Sequence, residues 1–262
     1  MNRLADFLEP EEEAAELLLE LASQDRLKIL LELDKEPSKI SQLAVKLSSS
    51  IQEASRQFGR LEEVGLIEKH ADGKFVLFSL GKISLSLTPA FALMGKERDY
   101  FNSHDPSYLP RPFLERMAEL SEHGRIDHID DALKFQHRVV KESEDFVWFI
   151  SDQPVGHSFR ESHSHFPPNV KLKLILPKSA DTEVFHAARN SMGPRLEIGL
   201  VDDLRLVLAM NEKIAAFGLP TLDGRSDYSR GLVGDSPKFR DWCRDLFSHY
   251  WEKSIMKYPR NS

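Results

Sequence analysis

The sequence predicts an α/β (α+β) protein in two parts, an N-terminal winged helix-turn-helix and a C-terminal mixed-sheet α/β domain of sensor size. Three observations carry this. Residues 24–80 hold three short helical periodicities followed by a hairpin signal. Residues 146–217 alternate apolar strand-like runs with a helix-like one. The chain of 262 residues has room for two ordinary domains. The expected division is 1–80 for the winged helix-turn-helix, 81–125 for a helical connector, and 126–262 for an output or ligand-sensing domain.

The elements follow in order. Residues 10–22 read as an amphipathic helix, with Ala14, Leu17, Leu18 and Leu21 on one side. Residues 26–33 place Leu27, Leu30 and Leu31 at helical spacing, and Ser41 starts a second helix with Leu43, Ala44 and Leu47 on one face. Ser48, Ser49 and Ser50 form a polar hinge and helix start. A third helix carries Ile51, Ala54, Phe58 and Leu61. Val64-Gly65-Leu66-Ile67 stops it and turns the chain into a strand. Ala71-Asp72-Gly73-Lys74 is a hairpin turn, and residues 75–80 pair back.

Residues 81–94 fit a strand or a connecting helix equally well. Residues 102–112 are turn-rich, and helices are expected at about 113–122 and 130–142. Strands are expected at 146–150, 170–176 and 195–201, with a helix at 181–191 and a hairpin from 204–210 and 214–217. Ser236-Pro237 opens a last helix whose apolar face is Phe239, Trp242, Leu246, Phe247 and Tyr250.

Composition narrows the class. No apolar run approaches the roughly 20 residues that span a bilayer, and the acidic start is not a secretory signal. A single cysteine, Cys243, excludes an intramolecular disulfide and any CxxC metal site. A cytoplasmic protein without membrane contact is expected. The net charge is −7, yet residues 1–20 hold seven acidic residues against one basic, whereas residues 21–80 hold nine of each. The helix-turn-helix is therefore neutral, and phosphate contacts would depend on where its cations sit.

On a helical wheel of residues 49–63, Ser49, Gln52, Glu53, Arg56 and Arg60 oppose the apolar face. Arginine can bind guanine, glutamine adenine and glutamate cytosine in the major groove. Ser49, Ser50, Gln52, Glu53, Arg56 and Arg60 are thus the candidate DNA contacts, with Lys69 and Lys74 of the hairpin reaching phosphate or the minor groove. The competing reading is that any surface helix has a polar outer face, and that the module docks a protein instead.

Residues 24–80, with 56–67 reading RQFGRLEEVGLI, resemble the winged-helix domain of archaeal ArsR-like regulators. Residues 219–228 (LPTLDGRSDY) and 242–251 (WCRDLFSHYW) resemble the end of the archaeal methanogenesis-regulator family. That family pairs a winged helix with a C-terminal output or sensor domain. The resemblance spans most of the chain and implies a transcription regulator, with no particular ligand.

Two clusters in the second domain are candidates for ligand chemistry. His157, His163 and His165 could chelate a metal, but no cysteine supports them, and a solvated loop is the simpler reading. No metal or cofactor is expected. Asp223 to Arg230 alternates acids and bases around Gly224. Arg225, Asp227, Tyr228 and Arg230 are its candidate ligand contacts, with Phe217, Leu219 and Trp242 as apolar walls. No GxSxG, HExxH, HxKxxxxD or phosphate-cradling glycine loop is present, so no enzyme is expected. The expected protein is a homodimer on a palindromic site in double-stranded DNA, responding to a small-molecule effector or a partner. Dimerisation is expected through residues 10–22 and the aromatic C-terminal helix.

Overall fold

A computed structural model describes residues 10–152, 166–180, 190 and 192–256. Chain contacts divide it into two compact units, 1–88 and 89–262. Residues 89–125, expected as part of a connector, belong to the second unit.

The first unit contains helices α1 (Pro10–Leu21), α2 (Gln24–Lys35), α3 (Ile40–Lys46) and α4 (Ile51–Glu63), then strands β1 (Ile67–Lys69) and β2 (Phe75–Leu77). The strands pair antiparallel with Glu68 opposite Val76. This is the winged helix-turn-helix order. Its core joins Ile29, Leu30, Leu33, Leu43, Phe58, Leu61, Leu66, Ile67, Phe75 and Leu77, each contributing roughly 1.5–3 kcal/mol when fully buried. Three sequence expectations shift. On α2 the buried face is Ile29, Leu30 and Leu33, while Leu31 is exposed. Ile51, expected in the core, is 64% exposed, and Gln57 is buried. Strand β2 ends at Leu77, because helix α5 (Ser79–Lys96) begins where residues 78–80 were expected to pair. That also resolves the ambiguous stretch 81–94 as helix.

Two helix ends define the turn before α4 and the turn after it. Past α4, the Gly65 N–H donates to Glu62 O (3.0 Å) and Leu66 N–H to Leu61 O (2.9 Å), with Gly65 at φ +73°. This pair of bonds needs a left-handed residue, which glycine supplies without strain. Past α3 the same pattern recurs: Ser48 N–H donates to Val45 O and Ser49 N–H to Ala44 O. Here the left-handed position, φ +53°, is held by Ser48.

The second unit contains α6 (Arg98–Ser103), α7 (Arg111–Glu115), strand β3 (Gly124–Ile126) and helix α8 (Ile129–Lys141). Strands β4 (Phe146–Ile150), β5 (Lys171–Pro177), β6 (Leu196–Val201), β7 (Val207–Asn211), β8 (Ala215–Gly218) and β9 (Gly231–Gly234) follow. Helix α9 (Pro237–Lys253) and strand β10 (Ile255–Met256) close the unit. The eight strands form one sheet in the order β10-β6-β5-β4-β7-β8-β9-β3. β4, β5 and β6 are parallel, and the other neighbours antiparallel. The mixed sheet is thus as expected, with β3, β9 and β10 added.

Side chains alternate across the sheet. Val147, Phe149, Leu172, Leu174 and Leu176 join a core with Phe135, Val139 and Val140 of α8. Ile150, Ile175, Ala215 and Phe217 join the opposite core with Tyr100, Phe113 and the buried face of α9. Asn211, fully buried, ties the β7–β8 turn to α8: its amide donates to Val139 O (2.8 Å) and its Oδ1 accepts from the Lys213 and Ile214 N–H groups. Among the described residues no helix is long and apolar enough to cross a membrane. The expected helix at 181–191 and His157, His163 and His165 lie outside the described residues.

Candidate nucleic-acid interface and ligand cavity

Helix α4 starts at Ser50, whose hydroxyl accepts from the Glu53 N–H at 3.1 Å. Ser50, Gln52, Ser55 and Arg56 are exposed and Ser49 is half-buried. Arg56 pairs with Glu53 at 2.7 Å along the helix surface, with its side chain 70% exposed. The Arg56 and Gln57 hydrogen bonds hold the Glu53 carboxyl below its ordinary value. Glu53 is therefore engaged within its own helix.

Arg60 departs further from expectation. It pairs with Glu20 of α1, and Glu20, 4% exposed, also meets Arg26 Nε at 3.0 Å. Arg26 Nη1 in turn donates to Gln57 Oε1 at 3.1 Å. Arg60 thus closes a structural network joining α1, α2 and α4, while the sequence places it on the outer face. The hairpin presents Lys69 exposed, its Nζ 5.8 Å from the Phe75 ring centroid, and Lys74 half-buried after a turn in which Asp72 accepts the Lys74 N–H.

In the second unit a cavity of about 320 Å³ lies on the α8 side of the sheet. Ile129, Leu133, Phe135, Phe149 and Ala216 wall it, Phe217 of the opposite core borders it, and Gln136, Ser151, Asp227, Tyr228 and Arg230 are the polar residues among its described lining. Three of the four residues singled out in the sequence are therefore brought together there. Arg225 is not among the lining residues; it pairs with Asp223 on the surface, its side chain 82% exposed. Leu219 and Trp242 are not walls either, since both are buried in the opposite core.

The loop between β8 and β9 is held by Asp227. Its Oδ1 accepts from Ser229 N–H (2.7 Å), Ser229 Oγ (2.6 Å) and Arg230 N–H (3.2 Å), and its Oδ2 meets His104 Nε2 at 3.1 Å. Burial works to raise the Asp227 carboxyl, but the Ser229 hydroxyl and amide and His104 outweigh it and hold the group below its ordinary range. The His104 ring stacks on Tyr100 at 4.1 Å, and its Nδ1 lies 2.8 Å from Tyr100 O. Burial pushes the Tyr100 hydroxyl well up, and that oxygen accepts the Leu219 N–H. Tyr228 donates to Asp152 Oδ1 at 2.5 Å and accepts from the Asp152 N–H at 3.1 Å. Ser103, His104, Ser151, Asp152 and Gln136 escaped the sequence reading. They lie far from residues 223–230 in the chain, and no local spacing links them.

The aromatic face expected to dimerise is also placed. Phe239, Trp242, Leu246 and Phe247 are buried within their own unit, while Tyr250 is half-buried, so most of that face is used in the unit's own core. Cys243 is buried in the same core, where desolvation pushes its thiol up.

No protein-family model matches the chain. No curated protein matches it. Among solved structures it is similar to the archaeal chromatin protein TrmBL2, at 16% identity over 86% of this chain and 90% of that one, with a TM-score of 0.39. It is also similar to the riboflavin dimethyltransferase RosA of Streptomyces davawensis, at 12% identity, 77% and 68% coverage and a TM-score of 0.29. An O-methyltransferase family protein of Burkholderia thailandensis matches at 12% identity, 78% and 65% coverage and a TM-score of 0.27. The expectation that this is not an enzyme is corrected on this finding, because methyltransferases recur among the matched structures, and the exclusion is withdrawn. At these identities and scores no reaction, substrate or family passes to the chain.

Proposed function

We propose that this protein is a DNA-binding transcription regulator of the cytoplasm, dimeric on a palindromic site, whose second unit senses a small molecule. The observation that carries the reading is the outward face of α4. Gln52 and Arg56 stand exposed in its N-terminal half, beside Ser49 and Ser50, on a helix whose other face closes a three-helix core. That is the placement base readout in a major groove requires. Lys69 and Lys74 on the hairpin suit phosphate contact. Glu53 and Arg60, engaged with neighbouring side chains, contribute less to readout than their places on the wheel suggested.

A second copy of the chain is supported by α5. Leu80, Ile83 and Leu87, spaced three and four apart, are 40%, 62% and 59% exposed. Apolar residues at that spacing, exposed on one helix face, suit an isologous helix pair. The cavity and its polar loop support the sensing role.

The test is fluorescence anisotropy of the full chain with the duplex upstream of its own gene and with a scrambled duplex, at two salt concentrations. Tighter binding to the native duplex, weakened by ~1–3 kcal/mol in Arg56→Ala, is expected. Equal weak binding to both, vanishing with salt, refutes specific readout and leaves a protein-docking module as the reading.

A further inference from the structure

The outward face of α4 is not the one a helical wheel gives. Between residues 51 and 60 the exposed residues are Ile51, Gln52, Ser55, Arg56, Gly59 and Arg60, and Arg60 is tied to Glu20. At 100° per residue the other five fall within an arc of about 140°. Ile51 is 64% exposed, whereas Phe58 and Leu61, the other large apolar residues of α4, are 1% and 0% exposed. Ile51, Ser55 and Gly59 form one row, spaced by four, along which the side chains shrink. A Cβ added at Gly59 would meet nothing within 4 Å. The apolar side chain therefore stands out at the N-terminal end of the row, and the row recedes behind it.

A lone exposed isoleucine on a protein surface needs no explanation. This one occupies the first helical position after the Ser50 cap, beside exposed Gln52. That is the part of a recognition helix whose residues meet base edges. An isoleucine side chain has no donor or acceptor, so it cannot read the polar pattern of a base pair. The apolar group that a base offers in the major groove is the thymine C5-methyl. Against any other base edge, Ile51 would cover polar atoms and leave them without a partner, which costs free energy.

We propose that Ile51 is a specificity-determining residue, packing on the C5-methyl of one thymine in each half-site while Gln52 and Arg56 read the neighbouring bases. This rests on reading α4 as a DNA-binding helix.

The test starts from a duplex that the full chain selects out of a random pool. Each thymidine of that duplex is replaced in turn by deoxyuridine, which removes only the C5-methyl, and binding is read by fluorescence anisotropy. One replacement in a half-site is expected to weaken binding about fourfold, the equivalent of one buried methylene. Ile51→Ala should bind the thymidine and deoxyuridine duplexes equally, with the parent's thermal midpoint by circular dichroism. Ile51→Val, which keeps a branched apolar side chain, should retain the difference. Arg56→Ala should also retain it while binding both duplexes more weakly. Indifference to every deoxyuridine, or a penalty that survives in Ile51→Ala, would overturn the assignment and leave the DNA-binding reading standing. A pool that enriches no sequence would overturn both, and Ile51 would then belong to a protein-docking face.

Discussion

Asp227→Ala is expected to destabilise the second unit by about 3–5 kcal/mol. The carboxylate, 12% exposed, is the meeting point of His104, Ser229 and the Arg230 N–H. The Ser229 and Arg230 groups sit on a half-buried loop, and water can replace part of what they lose. The His104 side chain cannot be rescued in that way, because it is 1% exposed and its other nitrogen is already committed to Tyr100 O. Removing a charged partner from such a group is the expensive arm of the change. Asp227→Asn keeps an oxygen toward Ser229 and loses the charge toward His104, so a smaller loss of roughly 1.5–3 kcal/mol is expected. Urea unfolding followed by tryptophan fluorescence reads this directly, because Trp148, Trp242 and Trp251 all belong to the second unit. An alanine variant within ~0.5 kcal/mol of the parent, the range of ordinary surface changes, would refute the argument. The pH dependence follows from the direction of the shift. Asp227 is held below its ordinary value in the folded chain, so its contribution is present at neutral pH. It is lost as pH falls below about 3.9 and through the folded value. Asp227→Asn should flatten that part of the acid limb.

Other substitutions probe the first unit. Ser48→Gly should stabilise it by about 0.5–1 kcal/mol, since serine at φ +53° pays a left-handed penalty that glycine does not, read as a higher thermal midpoint by circular dichroism. Gly81→Ala should destabilise by about 1–3 kcal/mol despite alanine's better helix propensity, in the same assay. A Cβ there would meet the Leu66 carbonyl oxygen inside contact distance and Leu77 Cδ1 at 2.7 Å. Ile83→Lys with Leu87→Lys should yield a monomer by light scattering at micromolar concentration, with a circular dichroism spectrum unchanged from the parent. A dimer that persists would remove α5 from the interface.

The winged helix was legible because its signals are local. Helical spacing, the serines at 48–50 as a helix start, Gly65 as a stop and Asp72-Gly73 as a turn each act within a few residues, and each recurs in the structure. The apolar strands β4, β5 and β7 were legible for the same reason. Strands β3, β9 and β10 were not. They are two to four residues long, and β3 and β9 contain glycine, so their only support is a neighbouring strand.

The candidate cavity was half legible. Asp227, Tyr228 and Arg230 stood out as a polar run after a glycine, but so did Arg225, which pairs locally with Asp223 and faces solvent. What separates Arg225 from Arg230 is Ser103 and Tyr100, contributed from more than a hundred residues away. Arg60 makes the same point in the first unit, since a helical wheel gives direction but not the Glu20 that waits there.

By itself, then, the sequence determined the helices of the first unit up to α4, the later helices α8 and α9, the hairpin and the apolar strands, because these depend on backbone preferences and on periodicity over a turn or two. Tertiary structure decided which cations are engaged by distant groups. It set the order of the sheet and buried the aromatic face of α9 within its own unit. Ion pairing and burial depend on groups distant in the chain, and no local pattern encodes where those groups meet.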